Sequence, residues 1–252
     1  MKPLLYFAIG LLTGFLAAMF GLGGGFLLVP LMNLMGVEIH KAVGTSSAAV
    51  VFTALSSTFA YTRQGRVLYR TGLMLALPAM VGAYAGALLT SYITPKELKL
   101  IFGITLIVVA YRTYQKKTAE PKEVNPKTLK LNGKVLVLGA FFSGITSGLL
   151  GIGGGVINVP LLVWLGVPIH YAVATSSFAI ILTSTISALK HYSLGNVETT
   201  WLVLLVPGLI TGAQVGAKTA RKIKAENLKG AFAILMAVLA VRMILKAVLP
   251  GL

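Results

Sequence analysis

Gly21-Leu22-Gly23-Gly24-Gly25, followed by Val29-Pro30-Leu31, returns 130 residues later as Gly151-Ile152-Gly153-Gly154-Gly155 followed by Val159-Pro160-Leu161. Each run leads into Gly-Val-x-Ile-His-x-Ala-Val-x-Thr-Ser-Ser, at 36–47 and again at 166–177. Between residues 14–47 and 144–177, 17 of 34 positions are identical. A repeat of this strength sets the architecture before any local motif is read. The two copies agree on glycine, proline and hydroxyl positions, where backbone geometry and polar contacts matter most. The apolar residues between them have drifted.

The chain has 252 residues, 56% of them hydrophobic and 11% charged, with a mean hydropathy of +0.87. Soluble domains carry roughly 25% charged residues. Apolar runs cover 4–19, 26–35, 42–61, 71–92 and 98–114, with counterparts at 135–150, 156–165, 172–189, 201–217 and 228–249. Several approach the ~20 residues that span a hydrocarbon core of about 30 Å. The fold expected is all-α: a polytopic helical membrane protein in the plasma (inner) membrane. The first run is not expected to be a cleaved signal, because its copy at 135–150 lies inside the chain. Tyr61, Tyr92, Tyr111, Tyr114, Tyr171, Tyr192 and Trp201 fall near the ends of runs, as an interfacial aromatic belt requires. His191 and Lys190 read as a solvated span end.

The net charge of +16 does not indicate nucleic acid, since the basic residues gather in short loops between apolar runs. In an inverted repeat, equivalent loops lie on opposite sides and differ in basic content. The loop at 62–70 carries Arg63, Arg66 and Arg70, whereas its equivalent at 191–199 carries none. The loop at 92–99 carries Lys96 and Lys99, whereas 218–229 carries Lys218, Arg221, Lys222, Lys224 and Lys229. The bias swaps in both comparisons, so two inverted-topology repeats are expected. Residues 1–114 form the first and 135–252 the second, joined by a cytoplasmic basic linker at 115–134. With the seven basic residues from Arg112 to Lys134 counted with the linker, that arrangement places 15 of the 22 Lys and Arg inside.

The run 26–35 reaches only about 15 Å as a helix and cannot cross alone. It is either the return arm of a re-entrant pair or one part of a span broken at its glycines. Consecutive glycines destabilise a helix, and free backbone at membrane depth is tolerated only inside protein or beside a wet cavity. The chain is expected to unwind at both glycine clusters beside such a cavity. The helices that follow would then aim their N-terminal amides at the break, a site for an anion that needs no charged side chain. The competing explanation is that the glycines only let helices approach closely. Candidate ligands are Gly23, Gly24, Gly25 and Phe26 in the first copy, and Gly153, Gly154, Gly155 and Val156 in the second. Thr45, Ser46, Ser47, Thr175, Ser176 and Ser177 add neutral hydroxyls. Asn158, matched by Leu28, and Gln214, matched by Tyr84, are polar groups within apolar runs. His40 and His170 are candidates for a proton-linked role.

With no cysteine, no aspartate and three scattered histidines, a hydrolytic triad or a dinuclear metal site has no parts. Neither enzymatic activity nor a metal nor a cofactor is expected. The partners expected are a small anionic substrate and the lipid bilayer, with no nucleic acid; a homodimer is left open.

The two glycine clusters, Pro30 and Pro160, and the Thr-Ser-Ser triplets at matched spacing resemble the TauE/SafE family of sulfite and organosulfonate exporters. The resemblance covers almost the whole chain. It implies a small integral membrane transporter of sulfur-containing anions such as sulfite, thiosulfate or sulfoacetate. Alternating access of one central site between the two halves is the mechanism expected, against the rival readings of a passive channel or a membrane scaffold.

Overall fold

The ends of the apolar runs become the ends of helices. A computed structural model describes residues 2–115, 131–220 and 225–248. The first half contains α1 (Lys2–Phe20), α2 (Gly25–Leu34), α3 (Ile39–Arg63), α4 (Tyr69–Leu89) and α5 (Pro95–Gln115). The second contains α6 (Gly133–Leu150), α7 (Gly155–Trp164), α8 (Ile169–Ser193), α9 (Thr199–Thr219) and α10 (Ala225–Val248). Among the described residues there is no strand. Five helices there are long and apolar enough to cross a membrane: α3, α4 with the turn that follows it, α6, α8 and α9. The protein is a polytopic helical membrane protein. Residues 116–130, the body of the expected linker, lie outside the described residues, as do Arg221, Lys222 and Lys224.

Local chemistry sets several boundaries. Pro95 occupies the first position of α5, where its missing N–H costs nothing. Ahead of it, the Thr94 amide donates to Glu97 Oε2 at 2.9 Å while the Glu97 amide donates to Thr94 Oγ1 at 3.3 Å, a reciprocal cap. Asn132 caps α6 by accepting from the Val135 amide.

The halves are interlocked by exchange of helices. α1 lies along α9 of the other half, and α6 along α4. The contact is a backbone-to-backbone approach. A Cβ at Gly208, Gly212 or Gly216 would collide with the carbonyl oxygens of Phe7, Leu11 and Phe15, and one at Gly82 or Gly86 with those of Phe141 and Ile145. Small residues one turn apart permit this approach in a membrane, where dispersion contacts replace the hydrophobic drive. Both pairs run parallel, since rising numbers on one helix meet rising numbers on the other.

α3 and α8, which are repeat equivalents, pack against each other in opposite directions. Thr45 near the start of α3 meets Glu198 beyond the end of α8, and Thr175 near the start of α8 meets Leu68 beyond the end of α3. Each of these contacts has its counterpart 130 residues away, so a pseudo-two-fold axis passes between the two helices perpendicular to both.

The short helices return along the ones before them. Gly24 folds back over Thr13 and Ala17, Gly154 over Ser143 and Ser147, and Gly139 of α6 faces the Leu161 side chain of α7. Of the two arrangements open from the sequence, the structure has the hairpin.

Candidate functional site

Both glycine clusters interrupt the helix as expected. α1 stops at Phe20 and α2 starts at Gly25; α6 stops at Leu150 and α7 starts at Gly155. Gly24 (φ 101°) and Gly154 (φ 75°) are the residues before the short helices, both in the left-handed region that a side chain disfavours. Neither makes a side-chain cap. Among the described residues, the amides of Gly23, Gly24, Gly25, Gly153, Gly154, Gly155 and Val156 make no hydrogen bond. Apart from half-buried Val156 they belong to buried residues, and a buried donor costs about 1–3 kcal/mol while unmet.

The two breaks meet on the pseudo-axis. A Cβ on Gly23 would stand 3.4 Å from Gly153 Cα and 3.1 Å from the Val50 side chain. One on Gly153 would stand 2.9 Å from Val50 and 3.2 Å from Ile180. Val50 and Ile180 are repeat equivalents, both fully buried, and they fill the space beside the breaks. Here the structure departs from expectation. In place of a wet opening at the clusters, residues 21–25 and 151–155 are buried against one another, because two branched side chains occupy the axis. A cavity of about 370 Å³ opens elsewhere, at the starts of α3 and α9, lined by Gly36, Val37, Glu38, Lys41, Glu198 and Trp201.

The Thr-Ser-Ser triplets touch the breaks, each reaching the opposite half. Ser46 Oγ donates to the Gly151 carbonyl at 2.9 Å, and Ser176 Oγ to the Gly21 carbonyl at 3.1 Å. Thr45 Oγ1 accepts from the Glu198 amide at 2.8 Å and Thr175 Oγ1 from the Leu68 amide at 3.1 Å. Ser47 Oγ accepts from Ser187 Oγ, while Ser177 Oγ donates to the Val173 carbonyl. In this conformation Ser46 and Ser176 spend their protons on the scaffold.

The remaining candidates separate. His40 bridges Glu38 Oε1 and the Ile93 carbonyl, each at 3.0 Å, in the first turn of α3. His170 is exposed near Arg66 at the opposite end of the molecule. Neither lies at the breaks. Gln214 Nε2 donates to the Ser56 carbonyl at 2.7 Å and ties α9 to α3. Asn158, in the first turn of α7, is fully buried with neither Nδ2 nor Oδ1 partnered.

Two readings of span ends are corrected. His191 is buried, its Nε2 2.8 Å from the Gly148 carbonyl, because α6 covers that face of α8. Tyr61, its repeat equivalent, is buried and donates to the Ala18 carbonyl, so it belongs to no interfacial belt. Three groups beside the breaks escaped the sequence reading: Thr13, Ser143 and Ser147. Ser143 Oγ donates to the Gly154 carbonyl at 2.8 Å, whereas Ser147 Oγ and Thr13 Oγ1 have no partner. Thr13 and Ser143 are hydroxyls at matched positions one residue ahead of the repeat window, and that match was the available signal.

Opposed helix starts, unmet amides and neutral hydroxyls suit a small anion, and among the described residues no charged side chain enters the arrangement. Comparison with known proteins agrees with a transport role. The chain is 31% identical to "Probable membrane transporter protein YunE" of Bacillus subtilis over 87% of this chain and 89% of that protein. It is 32% identical to "Probable membrane transporter protein YdhB" of the same organism, over 85% and 87%. It is 28% identical to "Probable membrane transporter protein MJ0441" of Methanocaldococcus jannaschii, over 94% and 93%. No solved structure matches significantly. The family model described as "Sulfite exporter TauE/SafE" matches residues 6–243, and the chain belongs to that family of membrane transporters.

Proposed function

We propose that this protein is a secondary exporter of a small sulfur-containing oxyanion, such as sulfite, thiosulfate or an organosulfonate, in the plasma membrane. The anion is held by backbone amides where the two glycine breaks meet, and it is exposed to each side in turn. The observation that carries this reading is the set of buried, unpartnered amides at two opposed helix starts. Val50 lies 11 residues into α3 and 13 before its end, so the breaks stand about 17–20 Å from either helix end at 1.5 Å per residue. That is mid-depth if α3 and α8 cross the bilayer. An Arg there would cost several kcal/mol, whereas helix-terminal amides attract the anion at far lower desolvation cost.

The antiparallel crossing of α3 and α8 supports inverted insertion of the halves, with the α1–α2 and α6–α7 hairpins entering from opposite faces. The Arg-bearing loop at 62–70 then faces the cytoplasm and the loop at 191–199 faces out. The apolar closure by Val50 and Ile180 favours a carrier over a pore, because a pore would be continuous. Counterflow in proteoliposomes tests this reading. Labelled sulfite should accumulate transiently against unlabelled sulfite, thiosulfate, taurine or sulfoacetate inside. No flux of any of these refutes the substrate class, and flux without counterflow indicates a channel.

A further inference from the structure

We propose that the anion takes its side-chain ligands from one half alone, sitting off the pseudo-axis against the second break, where Ser147 Oγ and Asn158 Nδ2 donate to it beside the amides of Gly154–Val156. This rests on the carrier reading above and adds the residues that bind.

The two breaks share a backbone path but differ in the groups around them. Ala17 stands where the second half has Ser147, and Leu28 where it has Asn158. Leu28 is part of a continuous apolar cluster. Asn158 has no partner for either polar atom, and Ser147 Oγ has none, although both residues are essentially inaccessible. Buried amide and hydroxyl groups are nearly always paired, so three unmet atoms beside one helix start need a reason.

Their placement supplies it. Asn158 shares the buried face of α7 with Gly155, which abuts Leu22 of the first break. Ser147 stands beside Gly154: a Cβ there would lie 3.5 Å from Ser147 Cβ. Ser143 Oγ donates to the Gly154 carbonyl, so that this acceptor, which would repel an oxyanion, is already engaged. At the first break the matched hydroxyl, Thr13, presents its methyl carbon to Gly24, 3.2 Å from where a Cβ would stand. The second break thus has three unmet side-chain atoms beside it, against one at the first, Thr13 Oγ1, whose residue turns its methyl to Gly24.

The test compares Asn158→Leu and Ser147→Ala, which import the residues that the first half carries, with Thr13→Val as the matched change at the other break. Full-length protein in detergent is assayed for thermal stabilisation by sulfite, thiosulfate and taurine. Each second-half variant should bind about tenfold more weakly or worse, the worth of one hydrogen bond to an anion. Thr13→Val should bind within about twofold of native. Melting without ligand should be unchanged or higher for Asn158→Leu, since a leucine there leaves no polar atom unmet; a merely structural asparagine would show the reverse. Native affinity in both second-half variants, or equal loss in Thr13→Val, overturns the asymmetry. If Gly154→Val alone loses binding, the backbone cradle survives while the side-chain assignment fails. If none of the three compounds stabilises native protein, both readings fail.

Discussion

Ser46 on α3 donates its hydroxyl proton to the carbonyl of Gly151, the residue at which α6 ends, 105 positions away. Ser176 does the same for Gly21. Each half thus clamps the broken helix of the other, and the clamp acts on the carbonyl side of the break, leaving the amide side free. The same triplets tie in the start of a long helix in the other half, α9 through Thr45 and α4 through Thr175. The pattern that repeats in the sequence is the pattern that joins the halves.

Removing one clamp leaves a buried carbonyl unmet. Ser46→Ala and Ser176→Ala should each lower stability by about 1–2 kcal/mol, and by similar amounts because the contacts are equivalent. Thermal unfolding in detergent reads this. A neutral result for either variant would show that its hydroxyl serves something other than the interface.

His191 and Tyr61 occupy matched positions and reach matched carbonyls, Gly148 and Ala18. His191→Phe should cost about 1–2 kcal/mol through the lost hydrogen bond, while His191→Tyr should recover much of it. Equal stability of the two variants would mean that the ring, not the polar contact, is what α6 packs against.

Lys41 and Glu198 form a 2.6 Å ion pair across the halves in the lining of the cavity, with side chains 45% and 36% exposed. At that exposure the pair contributes little to stability, and salt weakens it. Lys41→Met should shift melting only slightly and should abolish part of its salt dependence. A large loss of stability would mark the pair as a structural fastening.

The chain lacks cysteine, so a single introduced thiol reports its own side of the membrane. Thr62 and Tyr192 are exposed repeat equivalents just before the ends of α3 and α8. In intact cells an impermeant maleimide should label Tyr192→Cys directly and Thr62→Cys only after permeabilisation. Labelling of both from the same side would mean parallel halves.

Much of this was legible in the sequence, for particular reasons. Helix ends were readable because glycine and proline mark them: the run at 26–35 became α2 at 25–34, and 156–165 became α7 at 155–164. The break at each glycine cluster followed from local backbone preference alone. The partners of the hydroxyls did not, because Ser46 and Gly151 meet only after the halves interlock. His191 looked solvated for the same reason: its loop is polar, but a helix from earlier in the chain covers it. The closure of the axis by Val50 and Ile180 was hidden, since in sequence they are two ordinary apolar residues. Ser147 and Asn158 differ from their repeat counterparts, and only their burial without partners gives that difference meaning.

The most direct measurement is labelled sulfite counterflow through native protein, Gly24→Val and Gly154→Val reconstituted side by side, with Gly65→Ala as control. Gly65 has the same left-handed backbone (φ +68°) in a loop with open space around it, so it reports backbone strain alone. Native protein and Gly65→Ala should show counterflow. Both valine variants should lose it while remaining folded and inserted by circular dichroism and carbonate extraction. Native-rate counterflow in both valine variants would contradict the claim that the broken helices hold the anion.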